Sequence, residues 1–173
     1  MDKIYKYFKE INKLNQLIRT GWLIRKVKAD RLESVSEHAF TTCLLALSVI
    51  DKYNLSLDVE KLLKMILIHE VGEIDVGDIP VSDTEKHKNK HEKELQGVIR
   101  VSNILEEQWM LDLWLEFEEK KSKEAQFAYK MDKLNAVLQA KYYSEVTKNP
   151  NLFTEFYETA IKDCGEFLEV ADE

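Results

Sequence analysis

Apolar residues recur at intervals of three and four through nearly every segment of this 173-residue chain. Such a spacing places them on one face of an α-helix, which turns once in about 3.6 residues. Only five glycines and two prolines, the residues that most often end or break a helix, interrupt the pattern. Because there is also no internal repeat or linker, the sequence predicts an all-α protein, folded as a single helical bundle over residues 1–173.

The first predicted helix covers roughly residues 2–20. Its apolar side chains are spaced to share one face, which we expect to be buried. These side chains are Ile4, Phe8, Ile11, Leu14 and Ile18.

Residues that cap helices mark the start of the next two. Ser34 and Glu37 have the spacing of a capping box ahead of the apolar run 39–50. Asp58 is suited to cap a third helix, which should continue until Gly77 and Pro80 stop it. Four more helices are predicted, over residues 84–106, 109–119, 122–148 and 151–169.

Composition and charge exclude several classes of protein. A net charge of −7 and a pI near 5.3 argue against binding to duplex nucleic acid, which needs a broad cationic surface. The longest apolar segment, residues 40–50, is too short to span a bilayer, so no membrane association is expected. The first residues lack the pattern of a signal peptide, and the distant Cys43 and Cys164 are typical of reduced, buried thiols. We therefore expect a cytoplasmic protein.

The segment ILIHEVGEIDVGDIP, residues 66–80, ends an apolar helix in a crowd of ionisable residues. On a helix, the side chains of His69, Glu70 and Glu73 would lie on the same side. A divalent cation there would offset the repulsion between the carboxylates. Imidazole and carboxylate are usual ligands of such ions. A hydrated acidic helix end is the alternative, although acids there oppose the helix dipole.

Two further residues are candidate ligands only in combination with that segment. His38 precedes an apolar run, and alone it would more often be a hydrogen-bonded structural histidine. Asp132 lies in an apolar face of the predicted helix 122–148, where pairing with Lys130 or Lys133 is the commoner outcome.

Together, these residues have the order and spacing of a known family. His38, then His69 and Glu70, then Asp132, on three helices, resemble the HD-domain metal-dependent phosphohydrolases. The segments RTGWLIR, ESVSEH, GDIP and DKLNAVLQA are similar to those of the 5′-deoxynucleotidase, or oxetanocin-like, branch of that family. The resemblance covers about residues 12–160. One departure stands out, because Glu70 replaces the aspartate of the family's His-Asp pair.

The resemblance implies a role for each matched position. The implied metal ligands are His38, His69, Glu70 and Asp132. Glu73 and Asp78 would be the catalytic acids, and Arg19 and Trp22 would contact the substrate.

What the resemblance implies is an enzyme that removes the 5′-phosphate from nucleoside, and above all deoxynucleoside, monophosphates. It implies one divalent metal ion, with manganese, cobalt or iron favoured over magnesium because two ligands are imidazoles. It also implies a homodimer. Two alternatives stay open: an HD phosphohydrolase acting on another small phosphate ester, and a non-catalytic HD-fold protein that binds a metal or nucleotide, which the Glu70 replacement would favour.

Overall fold

The structure, a computed structural model, describes residues 2–78 and 89–172. Within those ranges every regular element is helical, and the extended backbone is limited to one isolated bridge between Ile18 and Ser34. The all-α prediction is therefore confirmed. The predicted helix stop at Pro80 and the predicted helical residues 84–88 lie outside the described residues.

Ten α-helices and three short 3₁₀ helices are present in the described part of the chain. The α-helices are α1 (Lys3–Ile11), α2 (Thr20–Ile24), α3 (Val35–Tyr53), α4 (Val59–Ile68), α5 (Glu73–Val76), α6 (Lys90–Leu105), α7 (Trp109–Glu118), α8 (Lys123–Thr147), α9 (Pro150–Cys164) and α10 (Glu169–Asp172). The 3₁₀ helices are Asn12–Asn15, His69–Gly72 and Gly165–Phe167.

The predicted helix starts that depend on capping are confirmed. The Ser34 side chain accepts a hydrogen bond from the backbone N–H of Glu37, and the Glu37 carboxylate accepts from the backbone N–H of Ser34, which completes the capping box of α3. The Asp58 side chain caps α4 by accepting from the backbone N–H of Lys61, and Ser122, which was not predicted as a cap, accepts from that of Ala125 at the start of α8. Local sequence therefore fixes where three long helices begin.

The predicted first helix is wrong beyond residue 15. The backbone N–H of Val35 donates to the carbonyl of Leu17 at 2.8 Å, and that of Arg19 donates to the carbonyl of Glu33 at 3.1 Å. This pairing holds the chain extended where a continuous helix was predicted. The predicted buried face is also wrong at its start, because Ile4 is 68% and Phe8 53% exposed, although Leu14 is buried.

The predicted third helix changes its winding at Ile68. Residues His69–Gly72 form a 3₁₀ helix, and the short α5 follows and ends before Gly77, whose φ of 78° suits glycine. A continuous α-helix was expected here. The change matters because His69 and Glu70 lie in the 3₁₀ turn and Glu73 begins α5.

The largest hydrophobic cluster lies where α3, α4, α8 and α9 pack together. Its fully buried members include Ala46, Leu62, Met131 and Leu134. Helix α8 runs through this core and contacts α3, α4, α7 and α9, so a polar side chain on its inner face is held in a fixed position. None of the helices in the described ranges is both long enough and apolar enough to cross a membrane.

Candidate metal centre

Four ionisable side chains from three segments converge beside the main core. His38 comes from the first turn of α3, His69 and Glu70 from the 3₁₀ turn after α4, and Asp132 from the middle of α8. One potential ligand atom from each lies within 4.8 Å of the other three. These are the four residues that the sequence predicts as metal ligands, so the fold brings together the whole predicted set.

The converging atoms are two nitrogens and two oxygens. Nε2 of His38 lies 2.8 Å from Oδ1 of Asp132, and Nε2 of His69 lies 3.3 Å from Oε1 of Glu70. The diagonal distances are 3.8 Å, from His38 Nε2 to Glu70 Oε1, and 3.9 Å, from His69 Nε2 to Asp132 Oδ1. This is a mixed imidazole and carboxylate donor set, as transition metals prefer.

The outer nitrogens of both imidazoles point at hydrogen-bond acceptors. Nδ1 of His69 lies 2.6 Å from the carbonyl oxygen of Ile66, and Nδ1 of His38 lies 2.9 Å from Oδ1 of Asn135. Each Nδ1 must therefore carry a proton and donate it, so Nε2 is the nitrogen of each ring that would bind an ion. Nε2 of His69 is buried without a hydrogen-bond partner among the described residues. A cation between the four atoms would fit this arrangement.

The ionisation of the cluster leads to the same conclusion. Burial alone would lower the pKa of His69, but the Glu70 and Asp132 carboxylates raise it to about 10. Burial would raise the pKa of Glu70, yet His69 and Arg19 hold it below its ordinary value. Burial likewise opposes ionisation of Asp132, but Lys133 and His38 hold its pKa well below the ordinary value. Two buried carboxylates thus require positive charge between them, which a divalent ion would supply.

A cavity of about 470 Å³ opens onto this cluster. Its wall carries several charged side chains, of both signs, and two aromatic rings. The lining residues that bear on function are Arg19, His69, Glu70, Glu73, Lys90, Phe117, Tyr129, Asp132 and Lys133. The cavity can therefore present both cations and an acid to an anionic ligand placed against the cluster.

Arg19 is the predicted phosphate-binding residue and lies at the edge of the cluster. Its Nη1 donates to Oε1 of Glu70 at 2.8 Å, and the side chain is 18% exposed. Burial would lower the pKa of Arg19, but Glu70 and Asp78 raise it, so the guanidinium is always charged. A fixed positive charge therefore lies beside the candidate metal ligands.

Glu73, a predicted catalytic acid, is buried against the cavity. Its Oε1 accepts a hydrogen bond from Nζ of Lys90 at 3.3 Å, and its Oε2 is buried without a partner among the described residues. Burial, then the charges of Glu70 and Asp78, raise its pKa well above the ordinary value for glutamate. A carboxyl group in such surroundings readily holds a proton.

Asp78, the second predicted acid, is held at a turn close by. Its carboxylate accepts a hydrogen bond from the backbone N–H of Thr20, next to Arg19. It is not among the described residues that line the cavity. The interaction ties the turn after α5 to the start of α2.

Trp22 is not brought to the cavity. It is only 2% exposed, and its ring stacks on Phe156 at a centroid distance of 4.8 Å and meets Tyr143 edge-on at 5.2 Å. Its Nε1 donates to the Glu33 carboxylate at 2.8 Å. The ring therefore has no free face for a sugar or base in this structure, and it packs the segment that follows Arg19 against α8 and α9.

The roles of two polar residues of the site, both on α8, are not predicted from the sequence. Lys133 donates to Oδ2 of Asp132 at 2.8 Å, and Asn135 accepts from His38. From the sequence, Lys133 is expected only as an alternative partner that would make Asp132 structural. The available signal for Asn135 was an amide one turn beyond Asp132 on an otherwise apolar helix face.

Comparison with known proteins points to the same family as the sequence pattern. The model of the HD domain family matches residues 11–169. A Danio rerio protein named 5′-deoxynucleotidase HDDC2 is 31% identical over 160 residues, which cover 91% of this chain and 78% of that protein. A Dictyostelium discoideum protein with the same name is 32% identical over 154 residues, covering 84% of this chain and 80% of that protein.

Solved structures share the fold. The PH0347 protein from Pyrococcus horikoshii OT3 superposes with a TM-score of 0.77 and 31% identity, covering 96% of this chain and 95% of that one. A conserved hypothetical protein from Pyrococcus furiosus gives a TM-score of 0.76 and 29% identity, covering 95% and 92%. With the family model matched over most of the chain, the predicted resemblance is confirmed, and this chain belongs to the HD-domain family.

Proposed function

We propose that this protein is a metal-dependent phosphohydrolase that removes the 5′-phosphate from deoxynucleoside monophosphates. The observation that carries the proposal is the convergence of two imidazole nitrogens and two carboxylates at a cavity that also holds Arg19 and Glu73. The names of the relatives, which are 5′-deoxynucleotidases, support the choice of substrate.

The ion would be held by His38, His69, Glu70 and Asp132. Two imidazole nitrogens among four ligands favour manganese, cobalt or iron over magnesium, which prefers oxygen ligands throughout. When bound, a divalent ion supplies charge neutralisation for a phosphoryl group and lowers the pKa of a water molecule.

The other side chains of the cavity would handle charge and protons. The planar guanidinium of Arg19 suits two oxygens of a phosphate, and Lys133 adds a second cation at the cavity wall. As the P–O5′ bond breaks, the 5′ oxygen must gain a proton, which the raised pKa of Glu73 suits it to donate. Asp78, the other acid that the resemblance implies, would then accept the proton that the attacking water loses, which requires its carboxylate to turn from the backbone N–H of Thr20 toward the cavity.

We further propose one domain over residues 1–173, a cytoplasmic location and a homodimer. The family model spans most of the chain, and both cysteines are free and buried. Apolar side chains on the outer faces of α1 and α3 offer area for a subunit interface: Ile4, Tyr5, Phe8, Phe40 and Leu44.

One observation favours the alternative of a binding protein without activity. Glu70, the residue that replaces the family's aspartate, pairs with Arg19, the predicted phosphate ligand. If this pair persisted with the ion bound, Arg19 would be less available to substrate.

A substrate panel tests the proposal. Metal-stripped protein is resupplied with manganese, cobalt or magnesium and given deoxynucleoside 5′-monophosphates, ribonucleoside 5′-monophosphates, deoxynucleoside 3′-monophosphates and deoxynucleoside triphosphates. Metal-dependent phosphate release confined to the 5′-monophosphates and fastest with the deoxy forms is expected. Equal release from the 3′-monophosphates or the triphosphates would favour the broader phosphohydrolase, and no release with any ion would favour the binding protein.

A further inference from the structure

We infer that Asn135 is a positioning residue of the candidate metal centre: it fixes the ring of His38 so that Nε2 faces Asp132 and Glu70 and Nδ1 keeps its proton. The inference rests on the metal binding that the proposed function includes, although it does not require turnover. It starts from a polar side chain in apolar surroundings, since Asn135 is buried on α8 between Leu134 and Val137. A buried amide is costly unless its hydrogen-bonding groups find partners.

Both the oxygen and the nitrogen of the Asn135 side-chain amide have hydrogen-bond partners. Its Oδ1 lies 2.9 Å from Nδ1 of His38, which is fully buried. Its Nδ2 donates to Oγ1 of Thr41 at 3.0 Å. The amide therefore bridges two residues of α3, one of which is a candidate metal ligand.

Thr41 fixes which way the amide faces. The single hydroxyl proton of Thr41 is directed to a backbone carbonyl of its own helix, that of Glu37 at 2.9 Å or that of His38 at 3.1 Å. Oγ1 is therefore left to accept a hydrogen bond, and it accepts from Nδ2 of the amide. The oxygen of Asn135 must then face His38.

This orientation decides the tautomer of His38. An amide oxygen at Nδ1 keeps a proton there, so Nε2, which lies at hydrogen-bond distance, 2.8 Å, from Oδ1 of Asp132, is the nitrogen that would exchange its proton for an ion. With the amide reversed, its N–H would face Nδ1, and the only proton of a neutral ring would lie on Nε2. Nε2 could then not bind an ion while the ring stays neutral.

His69 needs no side chain to orient its ring, because its Nδ1 donates to the backbone carbonyl of Ile66, and a backbone carbonyl cannot rotate independently. The tautomer of His38 is thus the one that depends on side chains. An amide also supplies the acceptor without adding a third negative charge to a site that already buries Glu70 and Asp132.

The test uses the full-length protein and two readouts that do not involve turnover. Asn135→Leu removes the acceptor at similar volume, and Asn135→Asp is the conservative variant that keeps it. Manganese affinity is measured by calorimetry on metal-stripped protein, and the hydrogen bond at Nδ1 of His38 is read from its ring ¹⁵N shifts. We expect Asn135→Leu to weaken manganese binding about 10–100-fold and to lose the hydrogen-bonded Nδ1–H of His38, whereas Asn135→Asp keeps this Nδ1–H and restores affinity.

Matched variants separate positioning from general loss of stability. Thr41→Val should weaken binding in the same direction as Asn135→Leu, whereas Thr41→Ser, which keeps the hydroxyl, should not. Val98→Ala truncates a fully buried side chain in a different cluster, and it should lower Tm without changing manganese affinity. Unchanged affinity in Asn135→Leu, an equal loss in Val98→Ala, or no binding of any divalent ion by the wild-type protein would overturn the inference. Failure of the proposed function alone would instead appear as a bound ion without phosphate release.

Discussion

Arg19 and Glu70 form a nearly buried ion pair in which Nη1 of the arginine lies 2.8 Å from Oε1 of the glutamate. The same Oε1 lies 3.3 Å from Nε2 of His69, so one carboxylate oxygen faces both the guanidinium and the candidate metal ligands. An ion that draws this oxygen toward itself would weaken its hold on Arg19. We therefore expect metal binding and phosphate binding to favour one another, and this coupling is reciprocal.

Shortening Glu70 tests that coupling. Glu70→Asp removes one methylene, so the carboxylate should withdraw from Arg19 while still reaching an ion. In metal-free protein we expect inorganic phosphate to bind about tenfold more tightly, a gain of ~1.4 kcal/mol, because the guanidinium has lost its competitor. With the metal resupplied, turnover should be kept or raised. Complete loss of activity would mean that the site is built around the longer side chain.

Replacing Glu73 and replacing Asp132 with alanine should have different effects on metal binding. Glu73→Ala should lower kcat by about 10²–10⁴-fold while leaving the ion bound, because the residue handles a proton rather than the metal. Asp132→Ala should lose both the ion and the activity. Measuring the metal content of each variant by mass spectrometry, together with its phosphate release, distinguishes the two effects. Wild-type activity in either variant would contradict the assignment.

Metal affinity should depend steeply on pH. Because Glu70 and Asp132 raise the pKa of His69 to about 10, an incoming ion must displace a proton at neutral pH. Proton competition weakens binding as pH falls, so manganese should bind about tenfold more tightly at pH 8 than at pH 7. Calorimetry in buffers of different ionisation enthalpy should count about one proton released per ion. An equal manganese affinity at pH 7 and pH 8 would mean that ion binding displaces no proton from His69.

Trp22 should matter first for stability. Trp22→Ala should cost about 3–5 kcal/mol of unfolding free energy through the cavity it leaves beside Tyr143 and Phe156. Trp22→Phe keeps most of the packing but leaves the Glu33 carboxylate without its indole donor, and it should cost ~1–3 kcal/mol. Urea unfolding measures both. A raised KM in Trp22→Phe at wild-type stability would instead support the contact with substrate that the resemblance implies.

The sequence predicts the helical content, the capped starts of α3 and α4, the span of α8, and the four residues of the candidate metal centre. Those features depend on local spacing or on the chain order of a family pattern, and both can be read from one sequence. The prediction places His69 and Glu70 on one side of a continuous α-helix. The structure brings them to the metal cluster in a different way, because both lie in a 3₁₀ turn.

What the sequence does not predict depends on contacts between distant segments. The end of the first helix is set by backbone pairing of Leu17 with Val35, and no propensity within residues 2–20 reveals it. The role of Asn135 is visible only when His38, 97 positions away, is placed against it. Trp22 likewise finds its partners on α8 and α9, over a hundred residues downstream.

Whether the bound ion drives phosphate release is best tested by titrating manganese into metal-stripped protein, with bound ion and phosphate release from a deoxynucleoside 5′-monophosphate followed in the same samples. Release should rise in proportion to bound ion and saturate at one ion per chain, and Asp132→Ala should show neither. A site that fills to one ion per chain without any phosphate release would contradict the account and identify the protein as a metal-binding member of its family without this activity.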